Sequence, residues 1–392
     1  MKLDEPGLRI GPARLVAFTV SRGFVLPPLS IRPRTAIPRI ILGVATSVLW
    51  FSTTTQAQQP DSMWQAPATP TLKQQPMHFS NGDVPLAGTL YLPEHAARVP
   101  AVIVFWGAQA PTRDYALYQQ LATGLPAIGV AVLVFDRRGS GQSGGSNVHS
   151  TFQDLAGDGI AALRALQHDP RIDPKRIGFW GLSQGGWLAI LAASETPDAA
   201  FAISCSAPLV TPADQMTFAV SNLFAVRGYG PAALKQALAL RQMEADYNAG
   251  HAPRAPYEKA IRNASTQPWF NDAFVRTVDE LPKKAPDTPW LDVMGYDPVK
   301  PLEAVHVPLL IFYGGADPWV PVAASIDRLK PIAARKPNIS YYVIAHADHL
   351  LSFPKKQTMD WNESALKEQK PESTEYFLVM AGWLTRQLGL KP

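Results

Sequence analysis

The chain has 392 residues, 46% hydrophobic and 17% charged, which is enough apolar material for one large domain with an insertion or for two modest domains. Disorder would need low hydrophobicity with high net charge, and a membrane span would need about eighteen consecutive uncharged apolar residues; the sequence contains neither. Seven basic residues against Asp4 and Glu5 give residues 1–57 a charge of +5, so the formal +4 of the whole leaves −1 on the remainder, a near-neutral body without an electrostatic footprint for nucleic acid.

At the N-terminus a basic stretch ending at Arg39 runs into the uncharged apolar segment Ile40–Phe51 and then into small and polar residues up to 59. This order is that of a secretory signal peptide. As a helix the apolar segment spans about 18 Å, well short of the roughly 30 Å of bilayer hydrocarbon, which favours a signal peptide over a transmembrane anchor. Thr55-Gln56-Ala57 fits a small-residue cleavage site loosely, so residues 1–57 are expected to be removed, leaving Gln58 first. The product is expected to be periplasmic or extracellular, with no stable membrane anchor. Signal peptides run to roughly 15–30 residues, so a leader this long points either to a true translation start downstream of residues 1–30 or to an extended basic region. The single cysteine, Cys205, forms no intrachain disulfide and reads as a small buried hydrophobe in the run Phe201–Cys205.

Residues 58–76, rich in Pro, Gln and Thr, read as a linker. From 77 onward short β-type runs (86–92, 101–105, 130–135, 177–182, 200–205, 308–313 and 339–344) alternate with helical patterns. This alternation predicts a mostly parallel sheet with helices on both faces. In the helix predicted over 152–168, Leu155, Ile160, Leu163 and Leu166 share one face, and Ser150 with Gln153 is the expected capping box. Between 208 and 300 four helical patterns (212–228, 231–248, 255–267 and 271–282) follow one another without a strand. They predict a helical cap inserted into a core made of 77–207 and 301–392. Met216, Phe218, Phe224, Trp269, Phe270 and Phe274 either line a pocket there or hold the insertion together, packing being the commoner role of aromatics at helical spacing.

Two segments match G-x-S-x-G: Gly181-Leu182-Ser183-Gln184-Gly185 and Gly141-Gln142-Ser143-Gly144-Gly145. Context separates them. Ser183 follows a predicted strand directly and precedes a predicted helix, the strand-turn-helix setting of a nucleophile elbow, with Gly181, Gly185 and Gly186 supplying the small flanking positions a tight turn needs. Ser143 has no helix beside it. A serine hydroxyl is a weak nucleophile and needs a base that is itself oriented by a carboxylate. In a parallel sheet such partners lie beyond the carboxyl ends of strands, where Asp317 and His349 both fall. The order Ser183, Asp317, His349 is the one expected for this kind of site. Asp348 competes as the acid, but a carboxylate on the neighbouring residue of the same loop rarely points back at its histidine. His346, Asp348 and His349 have neither H-x-x-x-H spacing nor a Cys partner, so no metal or organic cofactor is expected.

With elbow, acid and histidine in place, residues 77–392 resemble the α/β-hydrolase superfamily, and most closely its dienelactone-hydrolase-like and acyl-thioesterase-like serine hydrolases with a helical cap. Asp136-Arg137-Arg138-Gly139-Ser140-Gly141-Gln142-Ser143 is similar to the D-x-R-G-x-G-x-S loop after the fourth strand, which makes Ser143 structural. Trp106-Gly107-Ala108 is similar to the oxyanion segment after the third strand, with Trp106 where the family has His. The resemblance implies the backbone N–H groups of Ala108 and Gln184 as oxyanion donors and leaves the pocket wall beside Trp106 undefined. Dienelactone hydrolases use a cysteine nucleophile, and Cys205 lies elsewhere, so that activity is not implied.

These observations predict an exported serine hydrolase of the α/β-hydrolase fold that cleaves a small-molecule carboxylic ester through an acyl-enzyme. A serine peptidase or thioesterase on the same three residues, or a secreted binding protein without turnover, are the alternatives.

Overall fold

The computed structural model describes residues 72–94, 97–108, 112–147, 150–353, 359 and 374–390, all within the unit Met63–Pro392. The expected leader and most of the expected linker lie outside them. Eight strands form one sheet: β1 (Lys73–Asn81), β2 (Val84–Leu92), β3 (Val99–Phe105), β4 (Ala131–Phe135), β5 (Ile172–Leu182), β6 (Ala202–Cys205), β7 (Leu309–Gly314) and β8 (Ile339–Ile344). Their spatial order is β1-β2-β4-β3-β5-β6-β7-β8, antiparallel where β2 meets β1 and β4 and parallel elsewhere.

β4, β6 and β7 are buried along their whole length, which is why they read in the sequence as unbroken apolar runs. β1 corrects the linker expected over 58–76, because it begins at Lys73. It is an exposed edge strand carrying Gln74, Gln75 and Pro76, and an edge, paired on one side alone, is one of the places where a strand tolerates a proline.

The helices before the insertion are α1 (Ala116–Gly124), α2 (Phe152–Gln167) and α3 (Gln184–Glu195). Alternation along β5 sends Phe179 and Trp180 to opposite faces of the sheet. On one face Phe179 packs 5.6 Å from Phe105, whose ring lies against Gly159 of α2. On the other, Trp180 lies 6.4 Å from Tyr118 of α1, and its Nε1–H donates to the Tyr376 hydroxyl at 2.8 Å. The capping box of α2 is made by Thr151 and Asp154, not by Ser150 and Gln153: the Thr151 side chain accepts from Asp154 N–H, and the Asp154 carboxylate accepts from Thr151 N–H. Both pairs have the right spacing, but only Thr151 takes the extended conformation immediately before the first helical residue.

Between β6 and β7 come α4 (Pro212–Arg227), α5 (Pro231–Asn248), α6 (Arg254–Ala264), α7 (Thr288–Met294) and α8 (Val299–Ala304); α9 (Val322–Arg335) and α10 (Thr374–Leu388), which carries Tyr376, follow β7 and β8. The helix expected over 271–282 is instead two short 3-10 turns, Asn271–Ala273 and Val278–Glu280. Thr277 breaks it by adopting an extended N-cap conformation and forming a capping box with Glu280. Val220, Phe224, Leu240, Tyr257, Ile261, Trp269 and Phe270 form a hydrophobic cluster separate from that of the sheet. Beside it Arg276 joins Glu244 (3.1 Å), Asp287 (2.8 Å) and Asn248, so the insertion carries a paired polar core as well as an apolar one.

Candidate active site

Ser183 stands between the end of β5 and the start of α3 with φ 56° and ψ −119°, a strained backbone for a residue with a side chain. The surroundings impose it. A Cβ on Gly181 would lie 1.9 Å from the Gly185 carbonyl oxygen, and one on Gly185 2.6 Å from that of Phe105, so the turn closes only with glycine at both positions. Ser183 N–H donates to the Cys205 carbonyl at 2.7 Å, tying the turn to β6. The Cys205 thiol itself is fully buried, and burial pushes its pKa up to about 12, which removes it as a nucleophile.

His349 and Asp317 leave the sheet beyond β8 and β7, and the structure brings them together: His349 Nδ1 donates to Asp317 Oδ2 at 2.7 Å, both side chains being buried. The other oxygen, Oδ1, accepts from the N–H groups of Trp319 (2.8 Å) and Val320 (3.1 Å), so both carboxylate oxygens are held in place. Asp348 has a different task. Its Oδ1 accepts from Leu350 N–H, Ser352 N–H and the Ser352 hydroxyl at 2.9–3.0 Å and so folds the loop that presents His349. Burial holds its carboxyl above the ordinary carboxylate range against these bonds.

Ser143 is equally well accounted for: its hydroxyl donates to the Asp136 carbonyl at 2.7 Å and accepts from Ala87 N–H at 3.1 Å, stitching its loop to β2. The Asp136 carboxylate accepts from Arg113 N–H (3.0 Å) and Gln142 N–H (2.9 Å) and pairs with the Arg113 guanidinium at 3.0 Å, joining that loop to the segment after β3.

A cavity of about 450 Å³ opens over the elbow, and Ser183, Gln184, Ala108 and His349 all line it. Gly107 N–H donates to the Tyr118 hydroxyl at 2.8 Å, which holds the backbone running into Ala108. Trp106 does not form the wall: it is fully buried, 4.5 Å from the Phe135 ring, with its indole N–H bonded to the Phe135 carbonyl. The six apolar insertion residues divide between the two roles. Met216 and Phe274 line the cavity, whereas Phe224, Trp269 and Phe270 belong to the insertion's own cluster and Phe218 is not among the described lining residues.

Several lining residues carried no signal in the sequence. Tyr115 keeps its phenol protonated, because burial, with the charge of Asp348 adding to it, pushes its pKa up to about 12. Arg227 and Asp272 form a 3.6 Å ion pair on the wall, and Asp272 also accepts from the Tyr229 hydroxyl at 3.0 Å. They come from the insertion, whose helix packing no local pattern reveals. Among the described residues no group of three or more His, Cys, Asp or Glu is placed to hold a metal ion, and no helix is long and apolar enough to cross a membrane.

The family model for serine aminopeptidase, S33, matches residues 112–354. Among curated relatives, thiohydrolase apmlB of Arthrinium phaeospermum is 34% identical over 128 residues, covering 32% of this chain and 40% of that protein. Hydrolase ORFZ of Pyricularia oryzae is 32% identical over 122 residues, 29% of each. The chain thus spans less than half the length of these relatives. Among solved structures, the Pyrococcus furiosus esterase Pf2001 superposes with TM-score 0.51 at 18% identity, covering 81% of this chain and 92% of that one. The α/β hydrolase GrgF from Penicillium sp. sh18 gives 0.51 at 16%, covering 81% and 100%. At these identities the two structures establish a shared fold.

Proposed function

The chain belongs to the serine aminopeptidase S33 family and is a hydrolase of the α/β type, and on that footing we propose that it cleaves carboxylic esters through a covalent acyl-serine intermediate, with Ser183, His349 and Asp317 as the reacting unit. The observation that carries this reading is the 2.7 Å His349–Asp317 contact beside a serine held in a strained elbow on the wall of the same cavity.

With Nδ1–H committed to Asp317, Nε2 is the basic nitrogen of His349. It takes the Ser183 proton as Oγ attacks the substrate carbonyl carbon and returns that proton to the leaving alcohol as the C–O bond breaks. It then deprotonates the water that releases the acid and regenerates Ser183. Asp317 orients the ring and stabilises the imidazolium. The N–H groups of Ala108 and Gln184 are the proposed oxyanion donors; loss of one such donor costs roughly 3–4 kcal/mol of transition-state stabilisation.

Thioester cleavage is the second reading, favoured by the likeness to thiohydrolase apmlB. Peptide cleavage, which the family's name offers, has less support: an amino terminus needs a carboxylate partner, and Asp272, the carboxylate among the described lining residues, already has Arg227 and Tyr229. Export from the cytoplasm rests on the basic-then-apolar order ending at Phe51. Rates on p-nitrophenyl esters, acyl thioesters and p-nitroanilides with a common acyl group decide the substrate class. Ester turnover that exceeds the other two and disappears in Ser183→Ala supports the proposal; faster anilide turnover contradicts it.

A further inference from the structure

Asp317 Oδ1 is gripped by two consecutive peptide groups. Trp319 N–H belongs to the same planar unit as the Pro318 carbonyl, and Val320 N–H to the same unit as the Trp319 carbonyl; in a trans peptide the N–H and C=O of one unit point in opposite directions. The far ends of both units are held by α4. Asn222 Nδ2 donates to the Pro318 carbonyl at 2.9 Å, and Gln215 Nε2 donates to the Trp319 carbonyl at 3.0 Å. Seven residues apart, these two amides sit two turns from each other on one helix face. Ala219, between them, and Leu223, next to Asn222, pack with Trp319 and Met359 in a cluster of their own.

We propose that Asn222 and Gln215 are positioning residues for the acid of the site. By fixing the two carbonyl ends they orient both peptide dipoles toward Asp317, so that its second oxygen is always aimed at His349 Nδ1. Hydrogen bonds in series through a peptide unit also strengthen one another, which makes each N–H a better donor to the carboxylate. α4 therefore takes part in the chemistry without touching it. Because Gln215, Met216 and Leu223 of the same helix line the cavity, the segment that meets substrate is the segment that sets the acid. This inference rests on Asp317 being the acid in the function proposed above.

Asn222 is not among the described lining residues, so its replacement separates positioning from substrate contact. Asn222→Leu keeps the size and removes the donor; Asn222→Ser, too short to reach the carbonyl, is the second variant should the first fail to fold. Turnover is measured on a p-nitrophenyl ester and normalised to the serine titrated by a fluorophosphonate. The expected result is a drop in kcat of roughly tenfold to hundredfold, the scale of a small misplacement in an oriented site, with KM within about threefold. In an Asp317→Asn background the same change should add little, since residues acting through one another are not additive. Normal kcat in both Asn222 variants while Asp317→Asn is severely impaired overturns this inference and leaves the proposed function standing. An Asp317→Asn protein as active as the unsubstituted one overturns the proposed function itself.

Discussion

Asp317 Oδ2 and His349 Nδ1 lie 2.7 Å apart although 32 residues and a helix-strand unit separate them in the chain, whereas Asp348, the immediate neighbour of His349, turns its carboxylate back into its own loop. Asp317→Asn is therefore expected to lower ester turnover on the order of 10⁴-fold, the loss that follows when the aspartate of such a unit is made neutral. Asp348→Asn, whose amide oxygen can accept the same three hydrogen bonds, should stay within about tenfold. Steady-state kinetics of the two variants side by side check this, and a larger loss for Asp348→Asn would mean that the acid has been misassigned.

Asp348 also makes a prediction about stability. Burial raises its folded-state pKa above the unfolded value, so in the interval between the two the folded state binds more protons, and stability contributed by this group falls as pH rises through that interval. Asp348→Asn cannot titrate. Melting temperatures measured from acid to neutral pH should show the variant gaining on the unsubstituted protein as pH rises from the ordinary carboxylate range; a constant difference would show that the group is not desolvated in the fold.

The second serine motif gives the reverse pattern. Ser143→Ala leaves the buried Ala87 N–H without its acceptor, at a cost of about 1–3 kcal/mol in folding. Activity per folded molecule should remain within about tenfold, because Ser143 is not among the described residues that line the cavity. Denaturant unfolding and turnover on one preparation separate the two effects, and a folded but inactive Ser143→Ala would contradict the structural role.

Expression with secretion should yield a protein beginning near Gln58 in the soluble exported fraction. Intact-mass measurement is the check, and a membrane-bound product that retains residues 40–57 would replace the leader with an anchor.

Most of the sheet was legible because buried parallel strands leave unbroken apolar runs, and Ser183 was distinguishable from Ser143 because a strand and a helix flank only the former. What escaped has physical reasons. β1 is exposed and polar, so its pairing with β2 left no hydrophobic trace. At 271–282 the apolar spacing suits a helix, but the local Thr277–Glu280 capping box outweighs it. Asn222 and Gln215 were invisible because their partners are backbone carbonyls some hundred positions away, contacts that no residue pattern encodes.

The nucleophile is the atom on which the proposed chemistry turns. Treating the folded protein with a fluorophosphonate and locating the adduct by peptide mass spectrometry tests it in one measurement. The structure predicts a single modification on Ser183, blocked in the Ser183→Ala variant. An adduct on Ser143 or another serine, or no adduct in a protein that still hydrolyses esters, would contradict it.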